Sequence, residues 1–265
     1  MIGAIAGDII GSPYEAHPVK TTEFPLLGTD SRFTDDTVLT AATAFSLMTD
    51  GDYAENYRIF GRLYPLAGYG PSFHKWLQSK DPQPYNSWGN GSAMRVAPIA
   101  FLLDDEAEVL REAERSAAVT HDHPEGIKGA RAVALAVLRA RQGADPAALR
   151  AELAGRFGYD LDRTTAQIRP GYKFDISCQG SVPEALVCAL EAADWLDAVR
   201  LAVSLGGDAD TQACIAGAVA EARFGGIPGD IDRAVRGLLP AHLLDIVTDF
   251  ETRLAQKPAG PEGRA

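Results

Sequence analysis

Ala132-Val133-Ala134-Leu135-Ala136-Val137-Leu138 is apolar at seven consecutive positions, and its reading decides the fold. It lies inside a helical pattern over 124–142, opened by Pro124 and closed by Gly143. A helix that is hydrophobic on every side must be covered on every side. This segment is therefore expected at the centre of the molecule, with other helices around it. The same pattern continues outward in both directions. Ala, Leu, Arg and Glu dominate, and apolar residues return every three or four positions. Further helices are expected near 2–12, 35–50, 53–67, 71–79, 92–103, 105–119, 145–157, 181–192, 194–205, 211–224, 231–238 and 240–256. Thr34, Pro71, Asp104, Asp145-Pro146, Ser181 and Asp210 supply helix starts. Gly51, Gly143 and Gly206-Gly207 supply stops. The one tempting strand, Lys173-Phe174-Asp175-Ile176-Ser177, stands alone in an irregular stretch over 158–180 that reads as a surface loop. Small residues crowd the first helix at Gly3, Gly7 and Gly11, and a later one at Ala213, Ala216, Gly217 and Ala220. Such faces let helix axes approach closely.

Composition narrows the function classes. The 25 Lys and Arg against 36 Asp and Glu leave a net charge of −11, which argues against nucleic acid or an anionic membrane as the main partner. No apolar run approaches the roughly 18 residues of a membrane span. The opening MIGAIAGDIIG has no basic region and is broken by Asp8, so it does not read as a signal peptide, and a cytoplasmic location is expected. Cys178, Cys188 and Cys214 have neither C-x-x-C nor zinc spacing and are expected as small, reduced core residues. With no internal repeat or linker, one domain over 1–256 is expected, followed by a loose tail over 257–265.

Two segments carry the chemistry and rhyme with each other. Phe33-Thr34-Asp35-Asp36-Thr37 enters a helix, and so does Gly206-Gly207-Asp208-Ala209-Asp210-Thr211. Each places two carboxylates and a threonine hydroxyl at a helix N-terminus. In extended pre-helical backbone, side chains at i and i+2 point the same way, so Asp208 and Asp210 can converge. Helix capping accounts for one such segment. Two segments, each doubled in acid, exceed what capping requires and suit Mg²⁺ or Mn²⁺. Asp8 and Glu15 flank Gly11-Ser12-Pro13-Tyr14 at the end of the first helix and add further acid.

Asn86-Ser87-Trp88-Gly89-Asn90-Gly91-Ser92-Ala93-Met94-Arg95 is a loop of small residues leading into a helix. Its free backbone N–H groups suit a phosphate or diphosphate, with Trp88 as a stacking surface, although the Gly-Lys-Ser/Thr ending of a P-loop is absent. Thr120-His121-Asp122-His123-Pro124 contains H-x-H, but a helix precedes it where metal-binding H-x-H has a strand. Metal ligation by this pair is disfavoured; His121 reads first as a surface histidine ending a helix, and next as a hydrogen-bonding partner of a substrate hydroxyl.

Taken in order, GDxxGSPYE, FTDDT, GNGSAMRVAPI, TH, SVPEAL and GGDADT resemble the ADP-ribosylglycohydrolase family, over residues 2 to about 225. The resemblance implies an all-α, compact orthogonal multi-helix bundle with a metal site between helix N-termini. It implies two divalent ions, Mg²⁺ or Mn²⁺, ligated by Thr34, Asp35, Asp36, Asp208, Asp210 and Thr211. Glu15, Asp35 and Asp210 are the expected catalytic acids. Ser87, Trp88, Gly89, Asn90 and Gly91 would hold the diphosphate and nearby ribose, and His121 would contact ribose or phosphate. Ser181-Val182-Pro183 matches the stretch near the adenosine pocket, and Ser92 replaces a glycine found in some relatives. The implied reaction is hydrolysis of the N- or O-glycosidic bond between ADP-ribose and a protein side chain, arginine-linked favoured, or a small ADP-ribosyl conjugate. The alternative is an ADP-ribose-binding relative without turnover. An aspartyl-phosphate phosphatase is disfavoured, because Leu201-Ala202-Val203-Ser204-Leu205 continues a helix where that chemistry needs a strand.

Overall fold

The computed structural model describes residues 1–257, and most of the expected tail lies outside them. Among the described residues there are fourteen α-helices and no sheet. They are α1 (Ile2–Ala16), α2 (Asp35–Thr49), α3 (Tyr53–Leu63), α4 (Pro71–Gln78), α5 (Ala97–Leu102), α6 (Glu106–Ala118) and α7 (Pro124–Arg141), continuing with α8 (Pro146–Phe157), α9 (Thr165–Ile168), α10 (Cys178–Glu191), α11 (Trp195–Val203), α12 (Ala209–Phe224), α13 (Gly229–Arg236) and α14 (Ala241–Ala255).

Helix α7 occupies the centre. Every side chain from Ala132 to Leu138 is buried, and α5, α6, α8, α10 and α12 surround it. Its all-round apolar surface needs such a cage. The second axis of the fold is the contact between α1 and α12. A Cβ built on Gly7 would lie 2.0 Å from Ala213 O, and one on Gly217 would lie 2.3 Å from Gly3 O. The two backbones therefore touch with no side chain between them. Glu221 ties the same pair by accepting from the Gly3 N–H at 2.8 Å, and Trp195 Nε1 donates to Gly217 O at 3.0 Å. Cys178, Cys188 and Cys214 are buried free thiols.

Several boundaries depart from the sequence reading, each for a local reason. Helix α1 runs past residue 12 to Ala16, with Pro13 inside it. The carbonyl that Pro13 cannot satisfy, Ile9 O, accepts instead from Ser12 Oγ at 3.0 Å. This places Glu15 on the last turn of a helix rather than in a loop. Helix α10 begins at Cys178 under a Ser177 cap, while Ser181, expected as the cap, donates back to Ser177 O at 2.6 Å. Helix α3 stops at Leu63 ahead of Pro65, which frees 64–70 to form a wall beside α2. The expected helix over 92–103 is regular only from Ala97, after a short 3₁₀ turn at Asn90–Ser92. The lone strand candidate is extended but makes a single bridge, Ser177 to Gly89. Its backbone is spent on the glycine-rich loop, with Asn90 N donating to Ile176 O and Cys178 N to Trp88 O. Helix α9 falls within the stretch read as loop, where Thr164 and Gln167 form a reciprocal capping box.

Candidate active site

The starts of α2 and α12 meet beside the C-terminal half of α1, on the floor of a cavity of about 390 Å³. Asp8 organises the meeting. It is fully buried in α1 and accepts from the backbone N–H groups of Thr34 and Thr37 at 2.9 and 3.1 Å, and from both threonine hydroxyls. One carboxylate on α1 thus fixes the first turn of α2. Its partners stand 26 and 29 residues away, so sequence reading placed Asp8 near the site without finding its task.

The acids do little capping. Thr34 caps α2, accepting from Asp36 N, whereas Asp208, at the cap position of α12, makes no side-chain cap bond. Asp208 instead accepts from Asn90 Nδ2 at 2.6 Å, which ties the glycine-rich loop to the acid cluster. The Thr211 hydroxyl donates to Asp36 Oδ2 at 3.2 Å, and Thr34 Oγ1, whose proton goes to Asp8, stands 3.3 Å from the same oxygen, while Asp36 Oδ1 is buried with no partner. Carboxylate oxygens of Asp8, Asp36 and Asp210 lie within 4.8 Å of one another, as do those of Glu15, Asp208 and Asp210. Asp210 belongs to both groups, so the arrangement has two centres with one shared acid. Asp35 belongs to neither group. It is half-buried and lines the cavity, with the backbone at Gly68 close to its Oδ1.

Electrostatics follow from the crowding. Burial, then Asp8 and Asp208, push Asp35 up from 3.8 to about 8. Burial and neighbouring carboxylates raise Asp36 and Asp210 well above the ordinary range. Burial raises Asp8 and Asp208 as well, opposed at Asp8 by its threonine hydrogen bonds and at Asp208 partly by the Asn90 amide. Glu15, exposed at the mouth, is raised by burial of its carboxyl and by Asp208, against the pull of Arg32. Such a cluster suits hard cations with oxygen ligands, and the orphaned Asp36 Oδ1 is a lone pair in need of one.

The loop around Gly206 is held from outside. Gly206 takes a positive φ of +63°, and a Cβ on Gly207 would meet the Tyr172 ring at 2.3 Å. Lys20 Nζ donates to the carbonyls of Arg169, Tyr172 and Leu205, closing the turn that presents Asp208.

The opposite wall comes from the glycine-rich loop. Ser87, Gly89, Asn90, Gly91 and His121 line the cavity. The Trp88 side chain does not line it and is 47% exposed outside, with its carbonyl used by Cys178 N. The Asn90 amide is engaged with Asp208 rather than free. His121 is buried, with Nδ1 2.7 Å from Thr120 Oγ1, and burial with the nearby Arg95 charge pushes its pKa well down. His123 is no partner in a metal pair, since its Nδ1 caps α7 by accepting from Glu125 N. Sequence reading also missed Arg95, fully buried behind the loop and lining the cavity.

Comparison with known proteins places this geometry. ADP-ribosylhydrolase ARH3 of Mus musculus is 28% identical, over 85% of this chain and 82% of that protein. ADP-ribosylhydrolase ARH3 of Homo sapiens is 28% identical over 85% of this chain and 84% of its own length. A solved structure titled ADP-ribosylglycohydrolase-related protein complex superposes with a TM-score of 0.72 at 25% identity, covering 96% of this chain and 95% of that one. The family model described as ADP-ribosylglycohydrolase matches residues 1–260, through both acid-bearing helix starts and the glycine-rich loop between them, and the chain belongs to that family.

Proposed function

We propose that this chain hydrolyses the glycosidic bond that joins ADP-ribose to a protein side chain or small conjugate, with two divalent cations, Mg²⁺ or Mn²⁺, at the acid cluster. The observation that carries the reading is the pair of carboxylate groups sharing Asp210 on the floor of a cavity walled by the glycine-rich loop. The donor set fits the ions, because it is all oxygen, largely buried and includes the unpartnered Asp36 Oδ1. Asp36, Asp208, Asp210, Thr211 and Thr34 would hold them, with Glu15 and Asp35 at the open side. Bound there, the ions would supply Lewis-acid charge to ribose hydroxyls and to water.

The chain's own residues do the rest. Asp8 holds α2 in register, so that Asp36 faces Asp210. Asn90 holds Asp208. The Gly91 N–H and the His121 ring offer donors to the diphosphate, with the ribose between loop and acids. Glu15 sits at the mouth with its pKa raised by burial and by Asp208, where a carboxyl can carry a proton to or from the anomeric carbon's substituents. The surrounding anions stabilise the positive charge that develops on the sugar as the bond breaks. The alternative of a binder without turnover gains nothing from keeping this many repelling carboxylates together.

Linkage is read at the mouth. Arg32 lines the cavity beside Glu15 and carries a permanent positive charge. A guanidino leaving group brings like charge to the same place, so oxygen-linked conjugates fit this mouth better than the arginine linkage expected from the resemblance. The test is release of free ADP-ribose from arginine-, serine- and acetyl-linked conjugates. Mg²⁺ or Mn²⁺ should support turnover, chelator should abolish it, and the oxygen-linked substrates should turn over faster. Full activity in metal-stripped protein would refute the ion requirement, and a preference for the arginine conjugate would refute the role given to Arg32.

A further inference from the structure

Behind the glycine-rich loop lies a buried polar chain whose direction can be worked out. Arg95 is wholly buried, with its guanidinium carbon 4.3 Å from the centre of the Tyr57 ring. Its Nη2 donates to Ser116 O at 2.8 Å and to Thr120 Oγ1 at 3.0 Å, while Nε and Nη1 have no partner. Thr120 Oγ1 lies 2.7 Å from His121 Nδ1. A guanidinium only donates, so the Thr120 oxygen accepts from Arg95. The hydroxyl still has one proton to place. Two groups face it, the Tyr85 hydroxyl and His121 Nδ1, and of these Nδ1 stands at full bonding distance, so it is the acceptor.

We propose that Arg95 and Thr120 are positioning residues that fix His121 as the neutral imidazole with its proton on Nε2, aimed at the backbone of Gly89 to Gly91. Its use as a donor to a diphosphate rests on the proposed function; the tautomer itself does not. Two further observations agree. A Cβ on Gly91 would lie 3.3 Å from His121 Nε2 and one on Gly89 3.6 Å, so bare backbone stands opposite the proton. Gly126, in the first turn of α7, lies so close that a Cβ there would be 2.9 Å from His121 Cβ, so the base of the histidine packs directly on the start of that helix. The permanent charge of Arg95 also opposes a second positive charge on the ring, in line with the depressed pKa. A neutral donor grips an anion without adding a charge that the adjacent acids and their ions would have to balance. In the other tautomer a lone pair would face the anion.

The experiment is a long-range ¹H–¹⁵N correlation spectrum of the full-length, Mg²⁺-loaded protein at pH 7, with His121 assigned by its loss in His121→Gln. The expected pattern is the neutral form protonated on Nε2. Thr120→Val keeps the shape and removes the hydroxyl; it should mix the tautomers and weaken ADP-ribose binding in calorimetry by about tenfold, the loss of one modest hydrogen bond. Thr120→Ser should restore both. Arg95→Met should likewise admit the Nδ1-protonated form. A wild-type spectrum showing Nδ1–H or imidazolium overturns the proposal even if no variant folds. So does Thr120→Val with an unchanged spectrum. Absence of any ADP-ribose heat in wild type, alongside the Nε2–H spectrum, would defeat the proposed function and leave the positioning role standing.

Discussion

At the scale of single residues, the acids divide by what they touch. Asp210 serves both carboxylate groups, Asp208 only one, and Asp8 is spent on holding α2. Asp210→Asn should therefore cost both ions, and Asp208→Asn chiefly the one nearer Glu15. Titration calorimetry with Mn²⁺ reads the stoichiometry, and equal loss in the two variants would contradict the shared-acid geometry. Glu15→Gln removes a proton carrier at the mouth and leaves the cavity walls intact. It should lower turnover by about 10²–10⁴-fold, the usual contribution of a general acid or base, while ADP-ribose binds within a few-fold of wild type. Unchanged turnover would remove Glu15 from the chemistry. The doubled acids were legible in the sequence because Thr-Asp-Asp and Asp-Ala-Asp-Thr repeat one idea at two helix starts. The roles of Asp8 and Arg95 were not, because a buried charge is explained only by its partners, and those come from other elements.

At the scale of helices, the contact between α1 and α12 sets the site. Gly7 and Asp8 are adjacent, so the residue that admits the α12 backbone precedes the one that fixes α2. Gly7→Ala would put a methyl group 2.0 Å from Ala213 O and force the helices apart. Overpacking of this kind costs about 1–3 kcal/mol, and here it should also weaken Mn²⁺ binding, because Asp210 rides on α12 while Asp36 is tied to α1 through the bonds of Asp8 to the first turn of α2. Urea melts and Mn²⁺ titration of the same variant check both halves. Lost stability with wild-type affinity would uncouple packing from the site. The two runs of small residues signalled close approach in the sequence, but not that each was the other's partner. Helix interiors were read correctly from their period, and ends less so. The first helix was expected to end at residue 12, yet α1 continues through Pro13, because Ser12 takes up the carbonyl that Pro13 leaves. The 173–177 segment looked like a strand, yet its hydrogen bonds go to one loop.

At the scale of the whole molecule, the acid cluster makes stability depend on cations and on pH together. Unfolded aspartates ionise near pH 4, whereas burial and mutual repulsion raise Asp35 to about 8 and push Asp36 and Asp210 upward. Between those values the unfolded chain releases protons that the folded chain retains, so this cluster favours unfolding increasingly as pH rises from 4 towards 8. In chelator, wild type should therefore lose melting temperature relative to Asp36→Asn/Asp210→Asn across pH 5 to 8. Mg²⁺ or Mn²⁺ should raise the wild-type melting temperature and flatten this trend, adding about 2.7 kcal/mol at 100 times the dissociation constant, and the double variant should lose most of that gain. Parallel curves for the two proteins, or melts that overlay with and without cation, would mean the carboxylates do not converge as described. The central place of α7 was legible from seven apolar letters. Which helices surround it was not, because a uniform apolar surface accepts any apolar neighbour.

The direct backbone contact between α1 and α12 has a consequence for synthesis. Gly3 meets Gly217, and Gly11 meets the carbonyl of Ala209, across nearly the whole described chain. A ribosome adds about 5–20 residues per second, so α1 waits on the order of 10–40 s for the helix against which it packs. During that interval Ile2, Ile5, Ile9 and Ile10, all buried in the finished molecule, have no α12 to cover them. A nascent chain released before Asp208 would carry Asp8, Glu15, Asp35 and Asp36 but neither Asp208 nor Asp210. It should therefore bind Mn²⁺ far more weakly than the full chain and be held by chaperones through its first helix. Helix α12, made late, thus completes both the close helix contact and the site, and a chain that stops short of it has neither.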